Sequence, residues 1–224
     1  VQITDSGIQK NVKTTEGSFL AKSVIVASGT QPKRLGVKGE EELVGRGVSF
    51  CATCDGRFFQ GKDVAVIGGG SAAVKEALYL AKMVRKAYVI HRRAKLRAER
   101  IIQDKAISNP KIEFIWDSVL EEVVGGDKVE GVLVRNLKND KKRRLDVSGV
   151  FLYVGSVPNT NFIDVRKDED GFIETNEKLE TSMPGVFAAG DCRAKALRQV
   201  ATAVGEGALA AFMAEKYIEE SKEN

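Results

Sequence analysis

A run of three glycines, starting at Gly68, constrains the fold of this chain more than any other feature of its sequence. An apolar stretch at residues 64–67 leads into the run, and residues 72–85 follow it with apolar side chains at helical spacing. A second apolar stretch comes next, at residues 87–90. A strand, a glycine turn, a helix and a strand within about 30 residues form a βαβ unit. The sequence therefore predicts an α/β fold with a parallel sheet.

The glycine run also has the spacing of a phosphate-binding turn. Gly68 permits the tight turn, Gly70 lets a pyrophosphate approach the backbone, and Ala73 allows the helix to pack closely on the strand. The N–H groups at the start of the helix then face the phosphates. The predicted contacts with a dinucleotide are Gly68, Gly69, Gly70, Ser71, Ala72 and Ala73.

The end of the second strand indicates which dinucleotide is bound. An acidic residue at that place would bind the ribose 2′-hydroxyl of NAD. This chain has His91, Arg92 and Arg93 there, with Arg97 a turn later. Guanidinium groups match a 2′-phosphate through paired hydrogen bonds, so we expect NADPH, with His91 shaping the phosphate pocket.

A pair of cysteines, Cys51 and Cys54, precedes the glycine run. This spacing lets two thiols close into a disulfide with little backbone movement, and a helix start stabilises a thiolate. Asp55 follows directly and is placed to move a proton to or from a sulfur. The alternatives are a pair of small buried side chains or a zinc site. The sequence argues against zinc, since His91 and Cys192 are the only further soft ligands, and no metal site is expected.

The composition excludes several classes of protein. The 224 residues are 43% hydrophobic, enough for one large core or two modest domains. A net charge of +4, with 29% charged residues of both signs, is not a nucleic-acid-binding profile. No apolar run approaches the roughly 20 residues of a membrane helix, and no signal-peptide pattern opens the chain. We therefore expect no nucleic-acid or membrane partner and a cytoplasmic location.

Breaks in the apolar pattern near residues 32 and 157 divide the chain. The patterns outside the βαβ unit predict a hairpin at residues 12–20, strands at 23–27, 112–116, 150–154 and 186–189, and helices at 98–108 and 199–218. Three further strands, at 119–124, 129–136 and 143–147, are expected to form a small antiparallel layer. We predict a nucleotide-binding domain at residues 33–156. The outer pieces, 1–32 and 157–224, would form a second, discontinuous domain.

Taken together, these motifs resemble the low-molecular-weight thioredoxin reductases, over nearly the whole chain. The motifs that carry the resemblance are Cys51-Ala-Thr-Cys54-Asp55-Gly56, the glycine run from Gly68, His91-Arg92-Arg93 with Arg97-Ala98, the segment 185–191, and Arg198-Gln199. The resemblance implies a Rossmann-like NADPH-binding domain inserted in a discontinuous FAD-binding domain of the same type, and usually a homodimer. It also implies that electrons pass from NADPH through FAD to the Cys51–Cys54 disulfide and on to thioredoxin.

The resemblance further implies roles for individual residues. Cys54 would face the flavin, Cys51 would attack the substrate disulfide, and Asp55 would be the acid–base residue, while the three arginines would hold the 2′-phosphate. Asp191, after Gly190, would bind the ribityl–phosphate region of FAD. The remaining flavin-domain positions are Ser28 and Gly29 at a crossover, and Arg198, Gln199 and Val200 at the isoalloxazine.

The chain departs from the family pattern at three places. The family normally begins with a strand and a glycine motif for the ADP half of FAD, and no such motif precedes Ser23. We therefore expect the FAD-binding domain to be incomplete. This chain alone should bind NADPH, hold FAD weakly or not at all, and lack reductase activity until the missing segment is restored. In addition, Ser71-Ala72 stands where a more polar pair is frequent, and Lys75 stands where an acid is common.

Two other functions remain open on the sequence alone. One is a related flavin reductase that feeds a peroxidase or a ferredoxin. Peroxidase-linked relatives tend to use NADH and lack the Arg92-Arg93 pair, and ferredoxin-linked relatives lack the pair of cysteines at Cys51 and Cys54. The other is a non-catalytic NADPH-binding fragment, since half of the flavin site has no counterpart in the chain.

Overall fold

The computed structural model describes residues 1–7 and 9–221. The chain divides into two compact units. One is Arg34–Gly155, and the other combines Val1–Lys33 with the chain from Ser156 onward. Among the helices of the described ranges, none has both the length and the apolar character of a membrane span.

The strands are β1 (Gln2–Ser6), β2 (Gln9–Lys13), β3 (Ser18–Ala21), β4 (Val24–Val26), β5 (Thr30–Pro32), β6 (Val48–Ser49), β7 (Asp63–Ile67), β8 (Lys86–Ile90), β9 (Ile112–Ile115), β10 (Ser118–Gly125), β11 (Val129–Asn136), β12 (Lys142–Leu145), β13 (Gly149–Leu152), β14 (Ser156–Pro158) and β15 (Val186–Ala188). The α-helices are α1 (Ala52–Asp55), α2 (Ser71–Leu80), α3 (Arg100–Ile107) and α4 (Val200–Glu220). Two short 3-10 helices span Gly56–Phe59 and Gly190–Cys192.

The unit Arg34–Gly155 is built on a five-stranded parallel sheet in the order β6-β13-β7-β8-β9. β7 and β8 pair in register with α2 as their connection, which confirms the predicted βαβ unit. Val64 and Val66 are completely buried, as the central strands of a parallel sheet are when both faces are covered. The predicted α/β fold class is confirmed.

Both faces of this sheet are covered. On one face, α1, α2 and α3 share a core that includes Val66, Ala77 and Leu80. On the other, Ala65 and Val132 lie in a core shared with the antiparallel sheet β10-β11-β12. The predicted antiparallel layer is confirmed, and the unit has three layers.

The other unit contains three small sheets. β1, β2 and β3 form an antiparallel meander, which includes the predicted hairpin, while β4 pairs in parallel with β15. Ile3, Val26 and Cys192 lie in its core, so Cys192 acts there as a small packing residue. The helix α4 contributes Ala210 and Ala214 to a further buried cluster.

One short pairing differs from the expectation. The pattern predicts a break at Gln31-Pro32 and a turn at residues 155–158, whereas β5 and β14 pair there, from Ser156 opposite Pro32 to Pro158 opposite Thr30. Proline cannot donate to a ladder, but edge strands tolerate it, and both strands of a two-stranded sheet are edges. This pairing joins the two sequence halves of the discontinuous unit.

Candidate functional site

The cysteine pair lies at the surface, at the start of α1. Cys51 and Cys54 are joined by a disulfide, with their Cα atoms 5.3 Å apart. Cys51 is the residue before α1, and its Sγ accepts a hydrogen bond from the N–H of Cys54 at 3.2 Å. The hydroxyl of Thr53 lies 3.3 Å from the same sulfur and donates to it, since a disulfide sulfur carries no proton. Two donors are therefore in place to stabilise a thiolate at Cys51.

Two hydroxyl groups from neighbouring strands hold the backbone at the cysteine pair. Ser49 Oγ accepts the N–H of Cys51 at 3.1 Å and donates to Asp55 Oδ2 at 2.7 Å. Tyr153 Oη accepts the N–H of Ala52 at 2.7 Å. Neither hydroxyl was predicted from the sequence. A serine two residues before the first cysteine is a local signal that could have been found, whereas Tyr153 is separated from Ala52 by 101 residues.

Asp55 is oriented by this network. One carboxylate oxygen is bound by Ser49, and the other has no hydrogen-bond partner in the described part of the chain. A cavity of about 350 Å³ lies beside it, and the lining includes Ser49, Phe58 and the cations Arg46 and Lys128. Phe58 is 73% exposed, so the cavity rim presents an aromatic surface next to positive charge.

The glycine run forms a tight turn between β7 and α2. Gly68 has φ +146°, and a Cβ there would lie 2.7 Å from the carbonyl oxygen of Tyr153 and 2.8 Å from Cβ of Ala73. A Cβ on Gly69 would lie 2.2 Å from the ring of His91. At Gly70, by contrast, no atom lies within 4 Å of a Cβ, and no side chain caps the helix N-terminus. Neighbouring atoms therefore leave no room for a side chain at Gly68 and Gly69. At Gly70 the backbone is accessible, and no side chain covers the N–H groups at the start of α2.

The other residues of this turn lie in the first turn of α2. Ala73 is completely buried, as close packing of helix on strand requires, and Ala72 is exposed. Ser71 Oγ accepts the N–H of Glu99 at 3.3 Å, and Lys75 forms an ion pair with the Glu99 carboxylate at 3.3 Å.

The arginines beside this turn have exposed, unpaired side chains. Arg92, Arg93 and Arg97 make no ion pair within residues 1–7 and 9–221. The N–H of Arg97 donates to the carbonyl of Gly69 at 2.8 Å, which fastens the arginine-bearing loop to the glycine turn. In contrast, Arg85 is already paired with Asp63. Three free guanidinium groups thus lie on the segment fastened to the open N–H groups of α2.

His91 is buried beneath these cations. Its Nε2 lies 3.1 Å from the carbonyl oxygen of Lys95, and its ring packs on Gly69. Burial lowers the pKa of His91, and the charges of Arg97, Arg93 and Arg92 lower it further, while the Lys95 contact opposes them. A neutral imidazole here supports the turn as a packing and hydrogen-bonding group.

The predicted flavin residues lie in the discontinuous unit. Asp191 Oδ1 is buried with no hydrogen-bond partner in the described ranges, and Lys195 Nζ lies 3.7 Å from it. Arg198 Nε donates to the carbonyl of Asp191 at 3.3 Å, and its guanidinium carbon lies 3.8 Å from the ring centre of Phe172. Asp191 and Arg198 are thus brought together. The sequence analysis missed Glu206, which accepts the N–H of Gly190 at 2.7 Å.

The other residues that the sequence predicts to bind FAD lie at two places. Ser28 Oγ donates to the carbonyl of Asn159 at 2.6 Å, and the N–H of Asn159 donates to the carbonyl of Gly29 at 3.0 Å. Gln199 precedes α4, and Val200 is its first residue, with a side chain 79% exposed. No direct hydrogen bond joins the Ser28–Gly29 pair to Asp191 within the described residues.

Comparison with known proteins gives a consistent result. The family model described as pyridine nucleotide-disulphide oxidoreductase matches residues 2–207. The thioredoxin reductase of Listeria monocytogenes is 46% identical over 226 residues, covering 100% of this chain and 71% of the relative. That of Bacillus subtilis is 41% identical over 225 residues, covering 99% and 71%. The crystal structure of thioredoxin reductase from Streptococcus pyogenes superposes with a TM-score of 0.90 at 46% identity, covering 98% of this chain and 72% of that one. The chain belongs to the pyridine nucleotide-disulphide oxidoreductases, and it is similar in sequence and fold to thioredoxin reductases.

Proposed function

We propose that this protein is an NADPH-dependent thioredoxin-disulfide reductase. The observation that carries the proposal is an accessible Cys51–Cys54 disulfide in the same compact unit as an open glycine turn and three unpaired arginines. A disulfide stores two electrons, and the turn with its cations suits the nucleotide that supplies them.

The residues present fit NADPH. The N–H groups at the start of α2, directly after Gly70, have no side-chain cap and can donate hydrogen bonds to a pyrophosphate. Arg92, Arg93 and Arg97 match a 2′-phosphate, because each guanidinium group has free donors. We assign residues 33–156 to NADPH binding on these grounds.

The discontinuous pieces 1–32 and 157–224 are proposed to bind FAD. The buried Oδ1 of Asp191 supports this, because it accepts no hydrogen bond within the described ranges and has only the ion pair with Lys195 at 3.7 Å, so a ligand hydroxyl could supply the missing donor. The other proposed contacts with FAD are made by Gly190, Arg198, Gln199 and Val200, and by Ser28 and Gly29 at the crossover. When bound, NADPH supplies a hydride and FAD relays its two electrons to the disulfide.

The protein's own groups would then complete the reaction. Two electrons and one proton would convert the Cys51–Cys54 disulfide into a Cys51 thiolate and a Cys54 thiol, with Asp55 carrying the proton to the sulfur. The Cys51 thiolate, stabilised by the Cys54 N–H and the Thr53 hydroxyl, attacks one sulfur of the thioredoxin disulfide and releases the other as a thiolate. Cys54 then gives its proton to Asp55 and attacks the Cys51 sulfur of the mixed disulfide. The bond between Cys51 and thioredoxin breaks, the internal disulfide re-forms, and reduced thioredoxin leaves.

The rim beside Asp55 supports a protein substrate. Phe58 is exposed next to Arg46 and Lys128, an aromatic and cationic surface suited to a folded partner. Thioredoxin is the proposed partner, and a homodimer and a cytoplasmic location, both usual for the family, complete the proposal.

Reduction of thioredoxin by NADPH in the presence of FAD tests the proposal, measured on the protein with the family's ADP-binding glycine segment supplied ahead of this sequence. Substitution Cys51→Ser or Cys54→Ser should abolish turnover, while the matched control Cys192→Ala, at the one cysteine outside the pair, should keep it. Turnover that survives loss of either paired cysteine would contradict the assigned chemistry.

A further inference from the structure

The helix α2 begins with N–H groups that no side chain caps. Val74 is the first residue of the helix whose N–H bonds back to a carbonyl oxygen, that of Gly70, at 3.1 Å. Ser71, Ala72 and Ala73 precede it. Free N–H groups at a helix start bind a carboxylate as readily as a phosphate. A carboxylate close to this helix start would therefore compete with a nucleotide.

Glu99 lies beside the start of α2. Its backbone N–H donates to the hydroxyl of Ser71 at 3.3 Å, so its backbone is anchored at the first residue of the helix. Glu99 is also the residue before α3, yet its side chain makes no capping hydrogen bond to that helix. The Glu99 side chain thus starts next to the free N–H groups of α2 and is not held by its own helix.

The Glu99 carboxylate is bound by Lys75 instead. Lys75 Nζ lies 3.3 Å from Glu99 Oε1, in an ion pair between side chains that are 55% and 62% exposed. Lys75 follows Ser71 by four residues, so both lie on one face of α2, with Lys75 one turn further from the helix start. The backbone of Glu99 is therefore held by the first turn of α2 and its carboxylate by the lysine of the next turn.

We propose that Lys75 is a positioning residue that keeps the Glu99 carboxylate from capping α2, and so keeps the helix start open for the diphosphate of NADPH. When the lysine is removed, the carboxylate loses this ion pair. Rotation of the Glu99 side chain about its anchored backbone then brings the carboxylate to the free N–H groups, where it occupies donors that a diphosphate needs. The inference rests on the proposed function for the identity of the nucleotide.

Calorimetric titration with NADPH tests the effect on binding. An exposed ion pair shifts an equilibrium by up to about fivefold, so Lys75→Met should weaken NADPH binding about threefold to fivefold. Glu99→Gln removes the competing charge, so adding Lys75→Met to it should change the affinity by less than about twofold. The matched control is Lys82→Met, which removes the same charge from an exposed lysine just beyond the end of α2. Because exposed charges are screened over such a distance, the control should change the affinity by less than about twofold.

The outcomes separate this inference from the proposed function. A parent protein that binds no NADPH would overturn the proposed nucleotide site. If Lys75→Met weakens binding by the same factor with and without Glu99, the lysine acts on the nucleotide directly and the inference is wrong. No loss of affinity in Lys75→Met, or an equal loss in Lys82→Met, also contradicts the inference.

Amide hydrogen exchange tests the same inference without any ligand. The Ala72 amide should exchange more slowly in Lys75→Met than in the parent protein, by about threefold to fivefold, because the Glu99 carboxylate then accepts an N–H group at the helix start. The added protection should disappear in the double variant that also carries Glu99→Gln. Unchanged exchange in Lys75→Met would show that the Glu99 carboxylate does not reach the helix start.

Discussion

The backbone N–H of Arg97 donates a 2.8 Å hydrogen bond to the carbonyl oxygen of Gly69. This bond fastens the arginine-bearing loop to the glycine turn, so it holds together the proposed donors for a 2′-phosphate and for a pyrophosphate. Because His91 packs under the same turn, a change at any of these residues should reach nucleotide binding.

The first prediction concerns nucleotide preference. The chain should bind NADPH at least about tenfold more tightly than NADH, because a hydrogen bond between charged groups contributes about 1.5–3 kcal/mol. Substituting Arg92 and Arg93 by alanine should remove most of that difference. Calorimetric titration with both nucleotides measures it, with Arg85→Ala as the control since Arg85 already pairs with Asp63. Equal affinities in the parent protein would show that these arginines are only a solvated basic face.

The second prediction separates two neighbouring glycines. Gly69→Ala places a methyl group 2.2 Å from the His91 ring and should lower stability by about 1–3 kcal/mol, the usual cost of overpacking. Gly70→Ala meets no atom within 4 Å and should keep the melting temperature, yet weaken NADPH binding where the pyrophosphate approaches. Thermal melts measure the stability of both variants, and calorimetric titrations measure their affinity for NADPH. The reverse pattern would mean that the two glycines have exchanged roles.

The third prediction concerns pH and His91, the only histidine in the chain. Its pKa is lowered in the folded protein, mainly by burial, so the unfolded chain takes up the proton first as pH falls. This contribution to stability is full above the ordinary value of 6.5 and is lost below it, toward the folded pKa. The free energy of unfolding, measured with urea, should fall more between about pH 8 and about pH 5.5 for the parent protein than for His91→Gln. Equal losses of the free energy of unfolding in the two proteins would mean that His91 is exposed to solvent rather than buried.

The fourth prediction concerns Glu40, a carboxylate with 2% exposure. It accepts the N–H groups of Leu35 and Gly36 at 3.0 and 2.8 Å, and that of Val37 at 3.4 Å. Glu40→Gln turns an acceptor into a donor that faces other donors, so we expect a loss of about 1–3 kcal/mol.

Urea unfolding of the neighbouring variant Glu41→Gln provides the control for Glu40. Glu41 is exposed, and its substitution should change the free energy of unfolding by less than about 0.5 kcal/mol. If the two variants are equally stable, the Glu40 carboxylate does not hold this loop in solution.

The sequence by itself determined the local architecture of the protein. The βαβ unit, the antiparallel layer and the hairpin were predicted and confirmed, because each depends on neighbours a few residues apart. Periodicity of apolar side chains and the freedom of glycine act at that range. The family was also predictable, since its motifs are short and ordered along the chain. The domain boundaries and the roles of the single site residues stay predictions.

The tertiary structure decided which distant groups meet. Tyr153 reaches Ala52 across 101 residues because β13 lies between β6 and β7 in the sheet, which brings the end of β13 next to the start of α1. Ser28 binds Asn159 across 131 residues because β5 pairs with β14, a pairing that a proline in each strand concealed. Neither contact leaves a periodic trace in the sequence, since a single hydrogen bond constrains one atom on each side. Strand order, which is set by packing of the whole sheet, supplies the partner.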